Sequence, residues 1–100
     1  MSTAPDHFCD LTLFVSGASG LSANAIVDAR ALCDVHLRGR YRLAVVDVHE
    51  DPAAVLAKAV VASPTLVKNL PLPERRVVGS LSDTSRVIAD LELPVLTAAH

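Results

Sequence analysis

Ser63-Pro64-Thr65-Leu66-Val67-Lys68-Asn69-Leu70-Pro71-Leu72-Pro73-Glu74-Arg75-Arg76-Val77-Val78-Gly79 is the most constrained stretch of this chain. Ser63 to Lys68 reads as a short strand. Pro71 and Pro73 have no N–H to donate, so residues 70–73 fit neither a central strand nor a helix interior and must turn the chain. Arg75 to Gly79 then reads as a second strand, and the two strands form a hairpin. Pro64 sits at the start of the first one. A cis X-Pro bond costs only about 0.5–1 kcal/mol over trans, so a tight approach to a strand can hold it.

Upstream, Asp10 to Ser16 is a strand that stops at Gly17, with Leu11, Leu13 and Val15 on one face. Residues 17–20 form a turn, and Ser22 is placed to N-cap a helix from about Ala23 to Leu37. Ile26, Ala29, Cys33 and Leu37 recur at spacings of three and four, and Ala25 and Leu32 widen that stripe. Gly39 ends the helix. Tyr41 to Val48 reads as a strand whose apolar centre implies cover on both faces. The helix between the two strands is long enough for a crossover, so they are expected to be parallel. Pro52 opens a second helix, from Ala53 to about Val61, with Ala53, Leu56, Ala57 and Val60 as its apolar stripe. Downstream, Ser82 is placed to cap a last helix, Asp83 to Leu93, with Val87, Ile88 and Leu91 inward; Pro94 stops it. Residues 1–9 and 94–100 read as tails of a single domain spanning 1–100.

The resulting order, βαβαββα, defines an α/β fold of thioredoxin-like type. Pro64 stands where such folds place a cis-proline. The composition agrees: of 100 residues, 51% are hydrophobic and 20% charged, which excludes disorder for most of the chain. A net charge of −2 supplies no basic field for nucleic acid, and Phe8, Phe14 and Tyr41 are too few for a base-stacking platform. No apolar run approaches the roughly 20 residues of a membrane span, and no leader pattern precedes the fold. A cytoplasmic protein is expected.

A fold of this type invites thiol redox chemistry, which needs a low-pKa thiolate near a helix N-terminus. Residues 17–22 contain no cysteine. Cys33 lies late in its helix, where the dipole disfavours a thiolate, and reads as core; Cys9 falls in the tail. The histidines show no paired metal-ligand spacing, so no metal and no cofactor are expected. Residues 17–20 resemble half a phosphate loop, without the Lys-Ser/Thr that would complete it. Ser22 has no base placed beside it. No catalytic residue emerges. Lys68, Arg75 and Arg76 flank the proline turn, either as a solvated basic edge that discourages aggregation or as a docking rim or anion site.

Residues 62–68, Leu70-Pro71-x-Pro73 and Arg75-Arg76-Val77-Val78-Gly79-x-Leu81-Ser82-Asp83 together resemble the signature of the KaiB family of circadian clock proteins. Leu13 to Gly17, Gly39-x-Tyr41, Val46 to Val48 and Asp51-Pro52 are similar to the same family, without gaps from about residue 11 to residue 93. The resemblance implies a non-enzymatic protein that binds KaiC, a hexameric P-loop ATPase. It also implies capture of a KaiA-like protein and competition with a related domain of a sensor histidine kinase. Such proteins are metamorphic: a βαββααβ resting form, a dimer or tetramer, converts to the thioredoxin-like binding form. On this resemblance Lys68, Arg75 and Arg76 are expected to contact partners, while Pro64, Pro71, Pro73 and Gly79 set the backbone. Two packings coexist only when they differ by a few kcal/mol, and the weak helix or strand preference of residues 63–67 and 81–93 suits that requirement. The alternative is a constitutively thioredoxin-like interaction module resembling the sensor domain of a clock-linked histidine kinase; a different KaiC homologue or a stress-signalling partner also stays open.

Overall fold

The computed structural model describes residues 8–17, 20–60 and 64–93. The elements run β1 (Cys9–Val15), α1 (Gly20–His36), β2 (Tyr41–Asp47), α2 (Pro52–Lys58), β3 (Thr65–Leu70), β4 (Arg75–Val78) and α3 (Thr84–Leu91). This is the expected βαβαββα order. The four strands form one sheet in the order β2-β1-β3-β4. β1 and β2 are parallel, as the long crossover helix requires, and β1/β3 and β3/β4 are antiparallel.

Strand alternation assigns the two faces. Leu11, Leu13 and Val15 of β1, with Leu66 and Val77, point to the side that α1 and α3 cover. Ala25, Ala29, Leu32 and Cys33 of α1 and Val87 and Leu91 of α3 complete that core. Each fully buried leucine or valine side chain here contributes about 1.5–3 kcal/mol of transfer free energy. Phe14 and Val67, both buried, point to the opposite side, the side of Arg76. α2 lies there, tied to Arg76.

Five expectations are corrected. Cys9 is the first residue of β1 and fully buried rather than part of a tail; its N–H donates to the Arg40 carbonyl at 2.9 Å, extending the strand by one pairing. Ser22 lies inside α1, which begins at Gly20. It is the first inward position of the stripe, and its hydroxyl donates to the Ser16 carbonyl at 3.1 Å instead of capping. β2 is an edge strand in which no residue is fully buried and Ala44 and Val45 are exposed, so its apolar run is not covered on both faces. α2 buries none of its residues, and Leu56, expected inward, is 81% exposed. Its half-buried positions are Ala54, Val55 and Lys58. The last helix is capped by Asp83, which accepts from the Arg86 N–H at 3.1 Å, and not by Ser82.

The expected tails at 1–7 and 94–100, residues 18 and 19 of the first turn, and 61–63 at the end of the second helix and start of the third strand lie outside the described residues. So does the peptide bond before Pro64.

Candidate functional site

The proline hairpin brings the three predicted cations into one region, but in different environments. Lys68 follows the inward alternation of β3, so its side chain enters the α1/α3 side and is 1% exposed. Its ammonium donates to the Glu92 carbonyl at 3.3 Å. Glu92 is the C-cap of α3 and adopts a left-handed φ of 55°. The expectation of Lys68 as a surface cation is therefore corrected: it satisfies the end of a helix, where a positive charge is favoured.

Arg76 makes the equivalent contact on the other face. Its guanidinium donates to the Lys58 carbonyl at 2.6 Å and to the Ala59 carbonyl at 3.3 Å. Ala59 is the C-cap of α2, also left-handed, with φ 52°. Both helices thus end without the glycine that such a cap favours, and each receives a hairpin cation on the exposed carbonyls. Glu74 adds to this clamp, pairing with Lys58 at 3.2 Å and Arg76 at 3.6 Å. Arg75 faces the α3 end and pairs with Glu92 at 2.7 Å, its side chain 49% exposed. A carboxylate thus stands beside each hairpin arginine, Glu92 by Arg75 and Glu74 by Arg76, which disfavours an anion there.

The turn projects apolar surface. Leu70 and Leu72 are 49% and 74% exposed, and the Leu70-Pro71 and Leu72-Pro73 bonds are cis. Gly79 closes the hairpin with φ 96°, where any side chain would be strained, and its N–H donates to the Pro64 carbonyl at 2.8 Å.

Other candidate chemistry is poorly equipped. Cys9 and Cys33 are free and buried. Burial pushes the Cys33 thiol up to about 12, with Cys9 and Asp34 adding to the shift, and burial raises Cys9 against the opposing charge of Lys68. Among the described residues no group of three or more His, Cys, Asp or Glu side chains could hold a metal ion. Sequence reasoning missed one pair: Ser16 Oγ and His49 Nε2 lie 2.9 Å apart at the ends of β1 and β2. The neighbouring Asp47 carboxylate accepts from the His49 backbone N–H rather than orienting its ring, so the third member of a hydrolytic triad is not in place. The signal was available only through the parallel register of β1 and β2, since the two residues lie far apart in sequence.

The geometry defines a class: a thioredoxin-like α/β domain whose thiols are core and whose hairpin presents a mixed apolar and charged surface. Comparison with known proteins carries this further. The model of the KaiB domain matches residues 12–93. The circadian clock oscillator protein KaiB of Prochlorococcus marinus is 41% identical over 83 residues, which cover 83% of this chain and 70% of that protein. The KaiB of Synechococcus elongatus is 39% identical over 83 residues, covering 83% and 81%. The chain belongs to the KaiB family. In three dimensions it is similar to the N-terminal domain of Synechococcus elongatus SasA, with a TM-score of 0.71, 22% identity, and coverage of 91% of this chain and 86% of that one. It is also similar to mitochondrial thioredoxin 3 of Saccharomyces cerevisiae, with a TM-score of 0.67, 16% identity, and coverage of 87% and 79%. At these identities the likenesses define the fold. No helix among the described residues is long and apolar enough to cross a membrane.

Proposed function

We propose that this KaiB-family protein is a non-enzymatic adaptor that docks on a KaiC-type hexameric ATPase and thereby regulates a circadian or stress-signalling output. Membership of the family over residues 12–93 carries this reading, because the matched region includes the whole proline-arginine hairpin. Exposed Leu70 and Leu72 supply apolar contact, and Arg75 supplies an accessible cation beside them. Lys68 and Arg76 act indirectly, by holding the ends of α3 and α2 that flank the turn. Pro64, Pro71, Pro73 and Gly79 set its backbone. A KaiA-like protein and a sensor histidine kinase are further partners on this reading, and a βαββααβ dimer or tetramer is the resting form.

If the form described here is a minority state in solution, apparent affinity falls by its population and association is slow. Interferometry on an immobilised KaiC-type ring tests this. Slow association that Arg75→Glu weakens at least tenfold is expected; fast, diffusion-controlled binding argues against a refolding step, and unchanged affinity removes Arg75 from the contact.

The structural likeness to the SasA domain favours a second reading, a constitutively thioredoxin-like interaction module. One set of NMR resonances from a monomer, without slow exchange, supports it over the switching adaptor.

A further inference from the structure

β2 (Tyr41–Asp47) is an outer strand of the sheet, and among the described residues no strand pairs with its free side. The ladder to β1 fixes which backbone groups face that side. The Cys9 N–H donates to the Arg40 carbonyl and the Val48 N–H donates to the Val15 carbonyl, so the even-numbered residues here turn their backbone groups towards β1. Tyr41, Leu43, Val45 and Asp47 therefore hold theirs outward. Ala44 and Val45, at the middle of the strand, are exposed. An open edge of this kind is a template for a further strand.

Charge is divided along this edge. Arg38, Arg40 and Arg42 are exposed at its start, while Asp47 ends the strand and exposed Glu50 and Asp51 follow. Arg38, Arg40, Arg42 and Glu50 have no side-chain hydrogen bond or ion pair among the described residues. Asp47 and Asp51 each accept a backbone N–H, from His49 and Ala54, through one carboxylate oxygen. A second copy laid alongside in parallel sets arginine against arginine. Laid antiparallel, about a two-fold axis, it sets each basic end against an acidic one. Charges that guard the edge against other pairings thus select this one.

We propose that β2 is a self-recognition edge: two copies of this chain, in the thioredoxin-like form, join their β2 strands antiparallel into one continuous sheet. Centring the two-fold axis on Ala44 brings all the outward backbone groups into pairs, Tyr41 with Asp47 and Leu43 with Val45 of the second copy. The two Ala44 residues then face each other at a position without hydrogen bonds, where small side chains allow close approach. The arginine end of each copy lies along the acidic end of the other. Two short strands bury little surface, so the dimer is weak and salt-sensitive. It uses neither Arg75 nor the hairpin, and it is distinct from any oligomer of the resting form.

Sedimentation equilibrium on the full chain, taken up to millimolar concentration, should show a monomer–dimer equilibrium that weakens as salt is raised. The double variant Arg38→Glu/Arg40→Glu and the single variant Glu50→Arg should each weaken it at least about tenfold. Mixing the two variants should restore association as a heterodimer, a rescue that damage to folding cannot produce. With Cys9 and Cys33 replaced by alanine, Ala44→Cys should crosslink to a second copy in oxidised glutathione, while Leu56→Cys, on exposed α2, should not. Arg75→Glu should leave the dimer unchanged. A monomer at every concentration would overturn the proposal. So would a dimer indifferent to salt and charge reversal, or one in which Leu56→Cys crosslinks as readily as Ala44→Cys, since either marks an oligomer built on another surface.

Discussion

Lys68 stands inside the protein with its ammonium on the Glu92 carbonyl, near enough to the core thiol of Cys9 to act on it. Removing it leaves that carbonyl without its donor and opens a cavity. Lys68→Ala should therefore lower stability by about 1–3 kcal/mol in urea unfolding. Unchanged stability would contradict that structural role. The thiols give a pH prediction. Unfolded, Cys33 ionises near 9.0; folded, it does so near about 12. The unfolded state thus releases its proton first, and stability, intact below pH 9, falls as pH rises towards 12. The slope for this thiol approaches about 1.4 kcal/mol per pH unit. Cys9 and Tyr41, the latter through its hydrogen bond to Asp34, shift in the same direction. Urea midpoints measured from about pH 8 to about pH 10.5 should fall, and less steeply in Cys33→Ala; a flat profile contradicts buried thiols. The core role of Cys33 was readable from its place in the α1 stripe. That of Cys9 was not, because the polar residues before it hide the start of β1. Lys68 was misread because sequence treats a lysine beside a turn as solvated, while strand alternation turns this one inward.

At the scale of elements, the hairpin works as a clamp on two helix ends. Arg76→Ala should release α2, with amide exchange accelerating across 52–58 while α1 and β1 keep their protection. Loss of protection throughout would mean that α2 is not a separate unit. Ala59 is exposed in a left-handed conformation, so Ala59→Gly should raise stability by up to about 1 kcal/mol. The elements themselves were largely readable. Leu-x-Leu-x-Val marks β1, the three-and-four spacing marks α1, and the prolines bound the hairpin. The facing of α2 was not readable. Ala53, Leu56 and Ala57 form a plausible inward stripe, yet the helix is seven residues long and anchored by Arg76 and Glu74, so its orientation follows those contacts rather than its own apolarity. The α3 cap slipped by one residue because Ser82 and Asp83 are both good caps, and only the geometry of the turn selects Asp83.

Across the whole molecule, the parallel β1–β2 pair sits beside an antiparallel hairpin, with α1 and α3 on the side that holds the main core. The connectivity followed from the order of elements, since a long helix between two strands forces a crossover. The edge position of β2 did not, because strand order across a sheet depends on long-range pairing that an apolar run cannot report. On the adaptor reading, recognition resides in surface shape, at the hairpin tip that carries exposed Leu70, Leu72 and Arg75. The adaptor reading stands or falls on co-sedimentation of the purified chain with a KaiC-type ATPase of the same genome, in ATP and in ADP. A stable complex in at least one nucleotide state, retained when both cysteines are replaced by alanine, is the predicted result. No complex in either state would contradict it.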